Sequence, residues 1–243
     1  MKRTTPIAIE TFALSNCGYA REDNEDATFI SPDQTVIAVA DGMGGEPYGE
    51  IASALAVQAI EKCAATNHHI NCPQEDHPEW IECAFDYANE CIHRDARKHT
   101  ETDGMGTTLV AAVITERGAT IGNIGDCRAI LIDSGWANTI TRDHAEYDDS
   151  RGGRPGRKRG GLTRALGRDY SVSTDVFSIS LSPGQTLLLC SDGLHGVVTQ
   201  KEIIQIVNSE PEVEDCCNAL IETALEYGGP DNVSVIVWRC SGT

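Results

Sequence analysis

Two apolar runs in this chain end in the same pair of residues. Val36-Ile37-Ala38-Val39-Ala40 leads into Asp41-Gly42, and Leu187-Leu188-Leu189-Cys190-Ser191 leads into Asp192-Gly193. A short apolar run of this kind reads as a buried β-strand, so each carboxylate stands at a strand end, held at the rim of a core. The glycine beside it lets the backbone turn sharply and brings its own carbonyl close to whatever the carboxylate holds. Arg21, Glu25 and Asp26 upstream and Asp231-Asn232 downstream extend the set. Carboxylates with a backbone carbonyl form a cage of hard oxygen donors, the kind that suits Mg²⁺ or Mn²⁺. Such a cage fits metal-assisted hydrolysis of phosphate esters.

The elements that must position these residues can be read from hydrophobic period. Ile7 to Leu14, Ala27 to Ser31 and Thr35 to Ala40 read as strands, the last two joined by the turn-like Pro32-Asp33-Gln34. Ala52, Leu55, Ala56, Ala59, Ile60 and Cys63 recur at helical spacing, as do Ile81, Ala84, Phe85, Ala88 and Ile92. Thr66 to Pro78 between them reads as loop. Short strands follow at Thr107 to Thr115, Ala119 to Asn123, Arg128 to Asp133 and Asn138 to Thr141, spaced closely enough for antiparallel meanders. Ser150 to Gly161 has no period and reads as an exposed loop.

Strands resume at Thr174 to Ser180 and Thr186 to Ser191. Thr199 with Glu202 is a capping box opening a helix with Ile203 and Val207. A last helix carries Val213, Cys216, Cys217, Leu220 and Ala224 on one face, and Val233 to Trp238 closes the chain as a strand. Helices paired in each half, with strands grouped around them, favour an α+β layered sandwich over a doubly wound sheet. No linker or internal repeat is evident, so 1–243 is expected to be one domain.

Composition narrows the function. The N-terminus has no long apolar segment and no stretch reaches membrane-spanning length, so a cytoplasmic protein with no membrane partner is expected. The ten cysteines form no Cys-x-x-Cys pairs and mostly sit in apolar patterns, which points to reduced core thiols. The seven histidines lie mostly in loop-like sequence without zinc-ligand spacing. A formal charge of −18 argues against nucleic acid as a partner. Yet seven of the 19 basic residues fall between Arg151 and Arg168 with no acid among them, which leaves 12 bases against 37 acids, or −25, elsewhere.

Taken in order, the motifs resemble a known family. They are Arg21-Glu22-Asp23-Asn24-Glu25-Asp26, Val39-Ala40-Asp41-Gly42-Met43-Gly44-Gly45, Gly106-Thr107-Thr108-Leu109, Gly122-Asn123-Ile124-Gly125-Asp126-Cys127-Arg128, Leu162-Thr163-Arg164-Ala165-Leu166-Gly167, Ser191-Asp192-Gly193-Leu194 and Asp231-Asn232-Val233-Ser234-Val235. Together they are similar to the PPM/PP2C metal-dependent serine/threonine protein phosphatases, particularly the compact bacterial members. One Asp-Gly pair means little, since an Asp before Gly is usually a turn cap. Seven motifs in the family's order, spanning about residue 10 to 238, are specific.

The resemblance implies a four-layer α-β-β-α sandwich: two mainly antiparallel sheets flanked by helical pairs, with the metals in a cleft at one edge. It implies two tight Mn²⁺ or Mg²⁺ sites and attack by a metal-activated water, without a phospho-enzyme. Asp41 would bridge both metals, Asp192 and Asp231 would complete the first site, and the Gly42 carbonyl would serve the second. Glu25 would reach the second metal through water, with Asp26 behind it; a solvated turn is the plainer reading of both. Arg21 would hold the substrate phosphate in a bidentate fork, unless it merely pairs with Glu25 or Asp26. Asp126 stands where bacterial members bind a weaker third metal, or is a hairpin-turn residue.

Two departures stand out. Many eukaryotic relatives carry His two residues after the bridging Asp as a proposed general acid, whereas Met43 here has no proton to give, leaving a metal-bound water as the candidate. The segment beside the site, a flexible flap at about 145–161, is short and Arg/Gly-rich. Arg154, Arg157, Lys158 and Arg159 would either capture acidic phosphoprotein segments or fold onto the acidic body.

The expectation is a monomeric phosphatase of phosphoserine and phosphothreonine proteins that opposes a cognate Ser/Thr kinase. A phospho-sensing module on the same fold, a phosphatase of small metabolites and a structural metal-binding protein are the alternatives. Intact Asp41, Asp192 and Asp231 count against the first, and Arg21 with the ordered motifs counts against the last. The metal site alone does not separate protein from metabolite substrates.

Overall fold

The segment before Asp41 shows how the layers arise. Val36, Ala38 and Ala40 pack with helix side chains, whereas Ile37 and Val39 pack with residues of the opposite sheet. A strand covered on both faces has no solvent side, which is why its sequence is an unbroken apolar run. The segment before Asp192 does the same, with Leu188 and Cys190 toward helices and Leu187 and Leu189 toward the other sheet.

The computed structural model describes residues 8–43, 48–98, 104–115, 118–147 and 158–241. In chain order the strands are β1 (Ala8–Asn16), β2 (Asp26–Ile30), β3 (Val36–Asp41), β4 (Leu109–Thr115), β5 (Gly118–Ile124), β6 (Arg128–Asp133), β7 (Trp136–Thr139), β8 (Ala145–Tyr147), β9 (Lys158–Leu162), β10 (Asp175–Ser180), β11 (Thr186–Cys190) and β12 (Val233–Ser241). The helices are α1 (Gly49–Ala65), α2 (His68–Asn71), α3 (His77–Ala96), α4 (Asp192–His195), α5 (Gln200–Ser209) and α6 (Val213–Glu226).

Two five-stranded sheets, ordered β1-β12-β11-β6-β7 and β10-β5-β4-β3-β2, pair antiparallel throughout. α1 and α3 cover the second sheet, and α5 and α6 lie over the first. This is the expected α-β-β-α sandwich. Helix α3 buries the whole stripe that periodicity assigned to it and α1 buries all of its stripe but the partly buried Leu55 and Cys63, while Thr199 and Glu202 close a reciprocal capping box on α5. All ten cysteines are free thiols. Among the described residues no helix is long and apolar enough to cross a membrane.

Three readings are corrected. The stretch expected as loop between α1 and α3 contains the single turn α2 and a 3-10 turn at Gln74–Asp76, neither long enough to show a hydrophobic period. Asp192 does not simply end a strand: Ser191 leaves β11 and Asp192 begins the one-turn helix α4. The stretch from Ser150 to Gly161 is not all loop, because β9 pairs with β8. Its Lys-Arg-Gly-Gly-Leu sequence carries no apolar alternation to betray a strand. Arg151, Arg154 and Arg157 lie outside the described residues.

The antiparallel registers set the site. Asn16 lies opposite Val233, Asp26 opposite Asp41, Leu109 opposite Ile124, and Arg128 opposite Cys190. The ends of β1, β3, β5 and β11 and the starts of β2, β4, β6 and β12 therefore share one edge of the sandwich.

Candidate active site

Asp41 is anchored by its own backbone at that edge. Its N–H donates to Thr108 Oγ1 at 3.0 Å, and its carbonyl accepts from the Thr107 hydroxyl at 2.9 Å and the Thr108 N–H at 2.9 Å. Gly42 is a glycine by necessity: a Cβ there would fall 2.3 Å from the Gly49 carbonyl oxygen and 2.8 Å from that of Glu25. The same closeness brings the N-terminus of α1 against Glu25, in the loop before β2. Glu25 Oε1 lies 2.8 Å from where a Gly49 Cβ would stand, so this carboxylate faces the positive end of the helix.

The loops before β2 and β12 are locked to each other. Tyr19 N–H donates to the Gly229 carbonyl at 2.8 Å, and a Cβ on Gly18 (φ +75°) would fall 2.3 Å from the Asp231 carbonyl oxygen. Asn232 is buried between them. Its Oδ1 accepts from the Glu25 N–H at 2.9 Å, and its Nδ2 donates to the carbonyls of Cys17 and Asp23, each at 2.9 Å. Gly193 packs on the Asn232 carbonyl, 2.0 Å from where its Cβ would be, which ties Asp192 to Asp231. Asn232→Ala is expected to cost about 3 kcal/mol of stability, at roughly 1 kcal/mol per lost bond. It should also lower kcat by loosening Glu25 and Asp231 together; equilibrium denaturation beside steady-state rates checks both.

These anchors bring the acids together. Burial first, and then the nearby Asp26, Asp192, Asp126 and Asp231, push the Asp41 carboxyl well above the usual carboxylate range. Burial also raises Asp26, to about 7, with Asp192 and Asp231 adding and the Ser234 and Ser191 hydroxyls opposing. Asp26 Oδ2 accepts from the Ser191 hydroxyl at 2.8 Å, a bond that joins the two sheets, while its buried Oδ1 has no hydrogen-bond partner among the described residues. Burial raises Glu25 as well, with Arg21 opposing.

Arg21 grips Asp231 by a hydrogen bond from Nη2 to Oδ2 at 3.0 Å and an ion-pair contact of Nε with Oδ1 at 3.0 Å. Glu25 is 3.9 Å away, so the ion pair expected with Glu25 or Asp26 is instead chiefly with Asp231. Asp126 is 1% exposed, which a solvated hairpin turn would not be. It follows Gly125, whose φ of +101° is natural only to glycine, and its carbonyl accepts from His195 Nε2 at 2.9 Å. Met43 packs its methyl toward Gly106.

The donor set fits a hard divalent ion. Buried carboxylates crowded in this way hold their protons unless positive charge is supplied, and Asp26 Oδ1 is an oxygen still in want of a partner. Among the described residues no three His, Cys, Asp or Glu side chains are already gathered about one point. Asp231 turns both oxygens to Arg21, and an ion would compete with that guanidinium for them.

The structure thus brings together Arg21, Glu25, Asp26, Asp41, Asp126, Asp192 and Asp231, with the Gly42 backbone between two of them. The sequence set Asn232 beside Asp231 in the oxygen-donor group without showing what it binds, and it offered no role for Ser191, Ser234 or His195. Ser191 and Ser234 stood inside the ordered motifs, which was the available signal. His195 lacked even that.

Comparisons with known proteins place the chain in a family. A family model described as protein phosphatase 2C matches residues 17–228. The serine/threonine phosphatase stp of Listeria innocua is 32% identical over 231 residues, covering 90% of this chain and 91% of that protein. Serine/threonine protein phosphatase PstP of Mycobacterium tuberculosis is 31% identical over 98% of this chain, which spans 46% of PstP. A crystal structure of the PstP catalytic domain in complex with two manganese ions superposes with a TM-score of 0.84 at 29% identity, covering 97% of this chain and 100% of that one. The chain belongs to the protein phosphatase 2C family, and is a metal-dependent serine/threonine protein phosphatase of the compact bacterial type.

Proposed function

We propose that this edge of the sandwich is the catalytic centre, in a single phosphatase domain that removes phosphate from phosphoserine and phosphothreonine of proteins and opposes one or more Ser/Thr kinases. The crowding of Asp41 with Asp26, Asp126, Asp192 and Asp231 beside one guanidinium carries the reading. The relatives' names support the substrate class, and the manganese-bound PstP domain supports two metal sites. A cytoplasmic monomer remains our expectation.

Asp41, Asp192, Asp231 and the Gly42 carbonyl would hold the ions, with Asp41 serving both sites, Asp192 and Asp231 the first and Gly42 the second. Glu25 would act on that second site through water, and Asp26 would back Asp41. When bound, the ions supply positive charge against the phosphoryl oxygens and a water acidified toward neutrality. Arg21 orients the substrate phosphate through its planar fork, which a lysine would not reproduce. Met43 gives the leaving alkoxide no proton. Nor does His195, whose Nε2–H is committed to the Asp126 carbonyl and whose imidazole burial holds near pKa 4, with Arg128 adding.

Hydrolysis of a phosphothreonine peptide and of p-nitrophenyl phosphate, with Mn²⁺, Mg²⁺ or EDTA, tests the reading. Turnover that requires the metal is expected; tight metal binding without turnover would favour a phospho-sensing role. Arg21→Ala should raise KM at least tenfold without raising the midpoint of the Mn²⁺ titration, because the variant frees Asp231 while losing a charge-assisted phosphate contact of about 1.5–3 kcal/mol. A weaker third ion at Asp126 predicts that Asp126→Ala lowers kcat while two Mn²⁺ still bind by calorimetry. An unchanged rate would make Asp126 structural.

A further inference from the structure

The turn between β5 and β6 presents Asp126 directly after a glycine. Gly125 stands at a φ of +101° and packs on Thr108, where a Cβ would fall 2.5 Å from Cγ2. Thr108 in turn holds the backbone of Asp41. A glycine allows many backbone settings and does not by itself fix the direction of the residue that follows.

Three consecutive residues, Arg142, Asp143 and His144, strap that turn. The Arg142 carbonyl accepts from Asn123 Nδ2 at 3.1 Å, and the Asp143 carboxylate takes Nε and Nη2 of Arg128 at 3.0 and 2.6 Å. The strap is thus tied on either side of Asp126. His144 then grips Gly125 twice: its backbone N–H donates to the Gly125 carbonyl at 2.9 Å, and its Nδ1 accepts from the Gly125 N–H at 3.1 Å. One residue sets both peptide planes that flank the glycine.

The imidazole has one fixed tautomer. A backbone N–H can only donate, so Nδ1 is bare and the ring proton sits on Nε2, 3.2 Å from Asp175 Oδ2. Asp175 Oδ1 accepts from Arg164 Nη1 at 2.6 Å, and the same Nη1 bonds the Ser173 carbonyl at 3.2 Å. A bond at one ring nitrogen thereby orients the other. The His144 side chain is only 4% exposed, and with both nitrogens engaged inside the protein it is not placed to exchange a proton with substrate. We propose that His144, backed by Asp175 and Arg164, is a positioning residue: its grip on Gly125 aims the Asp126 carboxylate at the catalytic edge. The proposal rests on the cation-binding role given to Asp126 above.

His144→Gln and His144→Asn separate this grip from mere packing. Asn places Oδ1 near the position of Nδ1 and keeps an acceptor for Gly125, whereas Gln fills more of the ring's space but puts its amide near Nε2. His144→Gln is expected to lower kcat about fivefold, the worth of one net hydrogen bond, with KM changed less than about twofold. His144→Asn should turn over at least about threefold faster than the Gln variant, and calorimetric Mn²⁺ titration should find only the weaker third ion loosened by Gln. Gln should slow the wild type but not Asp126→Ala, which has no carboxylate left to aim. A Gln variant as fast as Asn, or losses that multiply in the double variant, would overturn the proposal and leave Asp126 as a ligand. An Asp126→Ala rate equal to wild type would overturn the reading of Asp126 and this inference with it. In metal-free ¹⁵N-histidine protein, long-range ¹H–¹⁵N correlation should show His144 with Nδ1 bare and Nε2 protonated; the opposite tautomer would also overturn the proposal.

Discussion

Replacing Asp41 by Asn is expected to cut kcat at saturating Mn²⁺ by at least about a thousandfold and, in the same variant, to raise the Tm of the metal-free protein. The first effect follows from the proposed shared ligand. A carboxamide is neutral and has one oxygen, so it cannot bridge two ions. Metal charge stabilisation is worth several kcal/mol in the transition state, and about 1.4 kcal/mol is tenfold in rate. The second effect follows from the surroundings of Asp41, a carboxyl buried among four other aspartates that must take up a proton to fold whenever no cation is present. Asn keeps the size and removes that penalty, while the backbone bonds to Thr107 and Thr108 stay in place. Retention of more than a few per cent of kcat would refute the role given to Asp41. A lower metal-free Tm would show that its carboxylate is structural. Both are read from one preparation, by stopped assay and by calorimetry in EDTA.

The second large effect is a pH-dependent stability contribution from Asp26 that appears only while the metal is absent. Asp26 has a carboxyl raised from 3.8 to about 7 in the folded chain. Between those values the native state holds a proton that the unfolded chain has released, so stability falls as pH rises. The contribution is fully present below about 3.8 and is lost as pH passes through about 7. Three pKa units correspond to about 4 kcal/mol. His195 works in the opposite sense. Burial, with help from Arg128, depresses it from 6.5 to about 4, so its contribution is present above 6.5 and lost as pH falls through 4. The two slopes oppose each other between about pH 4 and 6.5, and the comparison with Asp26→Asn isolates the carboxyl. In EDTA, the variant's stability relative to wild type should climb by about 4 kcal/mol between pH 4 and pH 8 in urea denaturation. Saturating Mn²⁺ should reverse the order at pH 8, because ionised Asp26 then lies beside positive charge. A difference that stays flat with pH would place the Asp26 proton outside the folding equilibrium.

Much of the architecture was legible because it is written in local periods. The stripes of α1 and α3, the capping box at Thr199 and the apolar runs before Asp41 and Asp192 each depend on neighbours within a few residues. Elements without a period escaped. Helix α2 and helix α4 are single turns, and β9 has a Gly-rich sequence without apolar alternation. The same distinction holds in the site. Asp41 and Asp192 could be singled out by the strands that lead to them. Asn232 takes its meaning from the Glu25 N–H, 207 positions away, and Ser191 from Asp26, 165 positions away. His69 and His77 read as loop residues, since nothing local shows that a single turn and the start of α3 bury both rings.

By itself the sequence determined the layer order, the strand ends that carry carboxylates and the family, because hydrophobic period and motif order are properties of the chain as written. Only the tertiary structure decided that Arg21 closes on Asp231, that Asp26 is buried against Ser191, and that Asp126 is walled in rather than exposed on a turn. Those outcomes depend on which side chains share a low-dielectric space. That sharing is set by strand registers that bring distant segments to one edge, and no window along the chain contains them.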